Sequence, residues 1–259
     1  MLVAFQKYQG AGNDFIMLDN RNSSYSELSL DQIVALCSRN FGVGSDGLIR
    51  LNLDDQGDFE MDFFNPDGSQ SFCGNGARCS VLFAKHLGMS FINHRFKAID
   101  GYHEFAFVED GIGIHMNDVT AITPLASDQA FLNTGSPHVV LLNDDLSTES
   151  TLNIGRSIRY ADAFADQGVN VNLIRIEAPD QIAISTYERG VEQETLACGT
   201  GATACALYIA ERQGVEQGLI KVRAKGGDLS IRFERHDSTF KNVWLIGPAQ
   251  QVFNGEMMV

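Results

Sequence analysis

A cysteine followed by glycine, any residue, glycine and alanine occurs twice in this chain, as CGNGARCSVLFAKHLG from Cys73 and CGTGATACALYIAERQG from Cys198. The second cysteine lies 125 positions after the first (198 less 73), close to half of the 259 residues. Other segments keep nearly that spacing. GNDFIMLDN from Gly12 resembles GSPHVVLLND from Gly135, GLIRL from Gly47 resembles NLIRI from Asn172, and IDGYHEFAF from Ile99 resembles KGGDLSIRF from Lys225. Each match alone is weak, but their shared order and register imply two similar halves. The expected division is 1–120, carrying Cys73, and 121–259, carrying Cys198, with the last few residues able to pack back on the first half.

Each half reads as strand, loop, helix, strands, glycine-led helix, strands. FIMLD, GLIRL and FEMDFF are strand-like runs. SLDQIVALCSRNFG reads as a helix with Ser29 as N-cap, Ile33, Leu36 and Cys37 on one face, and Gly42 beyond its end. The expected class is α+β, a mixed α/β fold of two pseudo-symmetric halves with mostly antiparallel, hairpin-rich strands.

The rest of the sequence narrows the chemistry. With 44% hydrophobic and 20% charged residues, the chain can bury a full core. A formal charge of −14 repels phosphate backbones and anionic lipid, so neither nucleic acid nor membrane is an expected partner. No apolar run approaches the ~20 residues of a membrane span. The five cysteines are an odd number in a chain that needs no staples, which points to free thiols and a cytoplasmic location. The six histidines show no metal-ligand spacing, so no metal is expected.

Gly199-x-Gly201-x-x-Ala204 looks at first like a dinucleotide loop, which needs a strand before it and an acid about 20 residues on. Here the preceding stretch is the polar ERGVEQET, and the later GLIKVRAK is basic. The P-loop lysine is also missing, since Thr203 stands there. A lone Cys-Gly turn would most often be a buried packing cysteine. Two copies at equivalent helix N-termini favour chemistry instead. The helix dipole and first-turn amides stabilise a thiolate and bind a carboxylate, and the following glycine lets a ligand approach closely. If a pseudo-twofold axis presents the two loops across a cleft, one thiolate can remove a proton while the other thiol delivers one to the opposite face.

These segments resemble the diaminopimelate epimerase family. The resemblance is carried by GAGNDF (10–15), FGVGSDGL (41–48), FNPDGS (64–69), CGNGARC (73–79), GSPHVV (135–140), VNVNLI (169–174), YERG (187–190) and ETLACGTGA (194–202). It implies two α/β halves with strands curled around a central helix, and a cofactor-independent epimerase of lysine and peptidoglycan precursor synthesis. It implies Cys73 and Cys198 as acid/base thiols, with His138 and Glu188 as their helpers. Asn13, Asn65, Asn170, Glu188 and Arg189 become contacts to a small amino-acid substrate, and the amides of Gly74, Asn75, Gly199 and Thr200 a carboxylate cradle. No cofactor or metal is implied, and a homodimer is allowed.

Taken one at a time, these residues have plainer readings. His138 could be structural, Arg189 beside Glu188 a solvated pair, Asn170 a partner of backbone, and Asn13-Asp14 and Asn65-Pro66-Asp67-Gly68 simple turns. Three departures from the family pattern stand out. Ser136 precedes Pro137-His138 where most relatives have asparagine. Gly47 stands where many have glutamine. The stretch GVEQ between Arg189 and Glu194 is one residue longer. Cys79 and Cys205 read as packing residues inside their helices. Two other functions stay open: a cofactor-independent racemase of another amino acid, and a thiol redox protein using Cys73 and Cys198, which lacks the expected Cys-x-x-Cys.

Overall fold

The computed structural model describes residues 1–259. In chain order the elements are β1 (Leu2–Gly10), β2 (Asn13–Asp19), α1 (Leu30–Cys37), β3 (Gly47–Asn52), β4 (Phe59–Phe64), α2 (Gly74–His86), β5 (Arg95–Ala98), β6 (Gly101–Val108) and β7 (Gly111–His115). They continue as β8 (Ile122–Ala126), β9 (Gln129–Asn133), β10 (Pro137–Leu142), α3 (Thr148–Arg159), β11 (Asn170–Ala178), β12 (Gln181–Glu188), β13 (Gln193–Thr195) and α4 (Gly199–Gln213). The last are β14 (Gln217–Ala224), β15 (Gly227–His236), β16 (Thr239–Gly247) and β17 (Gln250–Met258). This is a mixed α+β architecture. The chain divides into two compact units, Met1–Ile114 with Gly247–Val259, and His115–Ile246. The division thus falls at 114/115, where the sequence suggests 120/121. The C-terminal segment belongs to the first unit because β17 pairs antiparallel with β1 from Leu2↔Met258 to Gln9↔Gln250.

In the first unit, β2 and β3 are parallel and joined through α1, β4 and β5 are parallel and joined through α2, and the remaining neighbours are antiparallel. The strand alternation explains why β2 is apolar on both faces. Phe15 and Met17 pack with Ala77, Val81 and Phe83 of α2, while Ile16 and Leu18 pack with Ile33 and Leu36 of α1. Each large side chain so buried contributes roughly 1.5–3 kcal/mol. Helix α1 starts as its sequence suggests, with a capping box between Ser29 and Gln32.

The second unit repeats this order. Strands β10 and β11 are parallel around α3, β12 and β14 are parallel around α4, and β14, β15 and β16 follow as antiparallel neighbours. Val171 and Leu173 of β11 face the α3 cluster. Residues Gly201 to Ala210 of α4 are all buried, as a central helix requires.

The strand registers refine the repeat. Phe15 pairs with Gly47 as His138 pairs with Asn170, and Leu48 pairs with Phe64 as Val171 pairs with Tyr187. Gly47 therefore corresponds to Asn170, and Ile49 to Asn172, which corrects the match of GLIRL with Asn172-Leu-Ile-Arg-Ile by two positions. A slip of two leaves every side chain on its original face, so sequence similarity alone cannot detect it. The later match holds in register, since Ala98↔Gly101 closes one hairpin and Ala224↔Gly227 the other. A second difference is local. The polar stretch before Cys198 is not all loop, because Gln193–Thr195 forms β13 against Thr186–Glu188.

Candidate functional site

In the first unit Cys73 is the N-cap of α2, with extended backbone (φ −134°, ψ 112°). Its Sγ accepts from the Gly76 amide at 3.5 Å. Gly74 and Asn75 supply the first-turn amides. Beneath this turn lies Arg78, which is fully buried. Its guanidinium donates to Asn75 Oδ1 (2.6 Å), Pro248 O (3.3 Å) and Gly74 O (3.4 Å). Burial lowers its pKa to about 10, against smaller opposing contributions from Cys79 and then Cys73, so it remains a cation at neutral pH.

Asn75 in turn donates to Asn13 Oδ1 at 2.6 Å, and Asn13 donates to Asp46 Oδ2 at 2.9 Å. Arg39 binds both Asp46 and Asp14, and Lys7 pairs with Asp14. Burial pushes the Asp14 carboxyl up, but hydrogen bonds from Arg39 and Lys7 outweigh it and hold the pKa at about 2. Asn13 is thus the middle of a connected network from Arg78 to Arg39. Asn65 lies elsewhere in its own turn, its amide donating to Ser69 O, Ser69 Oγ and Ser71 Oγ at 3.1–3.2 Å. Gly47 cannot be a glutamine in this packing, since a Cβ there would lie 2.3 Å from the Phe63 ring. Cys79 is buried and its thiol is pushed far up by burial, as expected of a packing residue.

In the second unit Cys198 is the N-cap of α4 with nearly the same backbone (φ −121°, ψ 112°), but its side chain takes no helix amide. Its Sγ lies 3.4 Å from Thr200 Oγ1. That hydroxyl is also 2.9 Å from His138 Nε2, and His138 Nδ1 is 3.0 Å from Asn172 Nδ2. Asn172 donates to Val139 O at 3.1 Å and accepts from Thr186 Oγ1 at 2.9 Å. Gly201 is required by this network, because a Cβ there would lie 2.4 Å from Asn172 Oδ1. Burial, with a smaller contribution from the Arg189 charge, lowers the His138 pKa to about 3, so the ring is neutral. Cys205 is buried within α4 and its thiol is pushed up by burial.

Asn170 donates to Pro137 O (3.3 Å) and accepts from the Arg189 amide (2.9 Å), which ties the start of β11 to the end of β12. Glu188 ends β12 half-buried, and Arg189 is exposed with its guanidinium on Gln167 O at 2.7 Å. The longer loop is tightly wound around Glu192, at φ 57°. The Glu192 carboxylate accepts from Tyr187, Tyr160, Arg159 and the Gly190 amide at 3.0–3.3 Å. Ser136 contributes a backbone carbonyl to Thr134 N.

The structure thus gathers Cys73, Gly74, Asn75 and Asn13 in one unit, and Cys198, Gly199, Thr200 and His138 in the other. Asn65 sits in a turn of the first unit with its own partners, and the Asn170–Arg189 pair at the facing ends of β11 and β12 in the second. No group of three or more His, Cys, Asp or Glu side chains is arranged to hold a metal ion. No helix is long and apolar enough to cross a membrane. Sequence reasoning missed Arg78, Asp46 and Asn172. Each lies inside a quoted motif, and Asn172 has the signal of a polar residue on the core-facing parity of an apolar strand.

The sequence pattern described as Diaminopimelate epimerase matches residues 5–101 and 130–252. The chain belongs to the diaminopimelate epimerase family. It is 45% identical over 249 residues to a diaminopimelate epimerase of Flavobacterium psychrophilum, covering 95% of this chain and 97% of that one. A diaminopimelate epimerase of Chlorobaculum tepidum is 38% identical over 255 residues, covering 95% and 98%. Among solved structures, a Bacillus anthracis phenazine biosynthesis protein of the PhzF family superposes with a TM-score of 0.75 at 13% identity, over 100% of both chains. A probable proline racemase from Agrobacterium radiobacter K84 does so at 0.70 and 11% identity, over 99% and 93%. At these identities the structural likenesses establish the fold alone.

Proposed function

We propose that this chain inverts one stereocentre of LL-2,6-diaminoheptanedioate to give the meso form, without a cofactor. The observation that carries the reading is family membership over nearly the whole chain, joined to a cysteine at the N-cap position of the central helix of each unit. One sulfur acts as thiolate and removes the α proton; the other acts as thiol and delivers a proton to the opposite face. Each turnover exchanges their states. The first-turn amides of Gly74, Asn75, Gly199 and Thr200 stabilise the reacting carboxylate and the charge that develops beside it.

In this reading Glu188 accepts from the substrate ammonium, Arg189 offers a bidentate fork to the distal carboxylate, and Asn13, Asn65 and Asn170 add directional contacts. His138 supports Cys198. The reaction belongs to lysine and peptidoglycan precursor synthesis, a cytoplasmic setting that suits an enzyme with working thiols. The test is a coupled assay of purified protein on LL-diaminopimelate with reductant and no added cofactor. Turnover on that substrate and not on proline supports the reading, and turnover only after oxidation of the thiols points to a redox protein instead.

A further inference from the structure

We infer that Asn172 locks His138 as the neutral imidazole protonated on Nε2, and that His138, through Thr200, keeps a hydroxyl donor on the Cys198 sulfur. His138 is then a positioning residue that takes no proton in the reaction. The inference rests on the reading of Cys198 as an acid/base thiol.

The argument starts from a backbone carbonyl, which can only accept. Asn172 Nδ2 lies 3.1 Å from Val139 O, so this end of the amide is its NH₂ group. The opposite end, Oδ1, takes the Thr186 hydroxyl. The same NH₂ faces His138 Nδ1 at 3.0 Å, so Nδ1 must accept and cannot carry hydrogen. The ring proton therefore sits on Nε2 and points to Thr200 Oγ1 at 2.9 Å. An oxygen already accepting an N–H is polarised into a better donor. Its remaining partner at 3.4 Å is Cys198 Sγ.

A sulfur anion gains more from a hydroxyl donor than a thiol gains from donating, since S–H is a weak donor. The chain Asn172, His138, Thr200 therefore favours the thiolate of Cys198. Imidazolium at His138 would set an N–H against the Asn172 NH₂ group. The charged and titratable groups acting on the ring, Arg189 and Cys198 through Thr200, do not remove that clash. Burial opposes the charged ring as well. Thr200 alone does the exchanging, because its hydroxyl can turn from donating to a thiolate to accepting from a thiol.

Two readouts that need no turnover test this. Nitrogen-15 NMR of histidine-labelled protein should show His138 neutral, with its proton on Nε2, from about pH 8 to about pH 5. In Asn172→Asp the proton should move to Nδ1 or the ring should become charged. Iodoacetamide labelling of Cys198, followed by peptide mass spectrometry at neutral pH, should slow about tenfold in Thr200→Val and stay near the wild-type rate in Thr200→Ser. Thr200→Val should also lower kcat more than it raises KM. A wild-type His138 protonated on Nδ1 or titrating near neutrality overturns the inference. So does unchanged Cys198 labelling in Thr200→Val, a variant that serves even if Asn172→Asp fails to fold. Full epimerase activity in Cys198→Ala would instead overturn the thiol reading and leave both readouts interpretable.

Discussion

The two Cys-Gly turns occupy equivalent places, yet their polar support comes from different directions. Under Gly76 the first unit has Ile49 and Phe15, both apolar; under Gly201 the second has Asn172. By strand register, Phe15 and Ile49 stand where His138 and Asn172 stand. The first unit therefore draws its polar groups from its own helix, through the buried Arg78 and Asn75. The second draws them from its strands, and at the helix position of Arg78 it has Thr203, whose hydroxyl merely bonds back to Gly199 O at 2.9 Å. One duplicated backbone thus carries a cation and a fixed amide donor beside one sulfur, and a neutral, rotatable hydroxyl beside the other. Duplication conserved the geometry of the turn and left the electrostatics free to diverge.

The largest expected effect should ignore this difference. If both sulfurs carry protons, Cys73→Ala and Cys198→Ala should each lower turnover by at least ~10²–10⁴, and the double variant little further, because groups acting as a unit do not add. Steady-state kinetics on LL-diaminopimelate would measure it. Near-normal turnover in one single variant would break the comparison, reducing that turn to a structural copy of the other.

A smaller effect should expose the asymmetry. With a buried cation and an amide donor at hand, Cys73 should label faster with iodoacetamide at neutral pH than Cys198. Replacing the guanidinium in Arg78→Met should slow Cys73 by about tenfold, since one unit of thiol pKa corresponds to about 1.4 kcal/mol, and leave Cys198 unchanged. The same substitution removes the guanidinium donor from Asn75 Oδ1 and Pro248 O, while Gly74 O keeps its helical partner. Each buried acceptor so stranded costs about 1–3 kcal/mol, so denaturation midpoints should fall as well. Equal labelling rates before and after the substitution would show that Arg78 holds the turn together without setting the reactivity of its sulfur.

Much of this was legible in the sequence because repetition and turn chemistry are local. Ser29 as an N-cap, the glycines after each cysteine, and the paired apolar runs announce helices and strands without any tertiary knowledge. The register between the halves was not legible, because a shift by two preserves the alternation that betrays a strand. Arg78 and Asn172 escaped for a related reason. Their importance comes from burial: nothing in GNGARC marks Arg78 as turned inward, and in VNVNLI the strand parity flags Asn170 and Asn172 alike without saying which one holds His138. Asp46 likewise reads as a turn residue until Asn13 is seen to bond to it. The functions assigned to Asn65 and Arg189 rest on motif alone, and their side chains here satisfy local carbonyls and hydroxyls.

The smallest expected effect separates the units by pH. His138 is held neutral with a pKa of about 3 against an ordinary value of 6.5. Asp14, in the other unit, is held ionised at about 2 against 3.8. In both cases the unfolded chain takes up the proton first, so acid destabilises the folded state. The windows differ. The His138 contribution is complete above pH 6.5 and drains as pH falls from 6.5 towards 3, whereas the Asp14 contribution holds down to 3.8 and drains towards 2. The groups acting on His138 are Thr200, Asn172, Arg189 and, through Thr200, Cys198. Mild acid should therefore weaken the protein through the second unit. One pH unit below the ordinary histidine value, the loss is at most about 1.4 kcal/mol. Chemical denaturation of wild type and His138→Gln, compared between neutral pH and one unit below 6.5, isolates it. The variant should be less stable at neutral pH but show a flatter pH dependence. Parallel slopes for the two proteins would mean that His138 accepts a proton in the folded state, and the neutral-hydroxyl side of the comparison would fall with it.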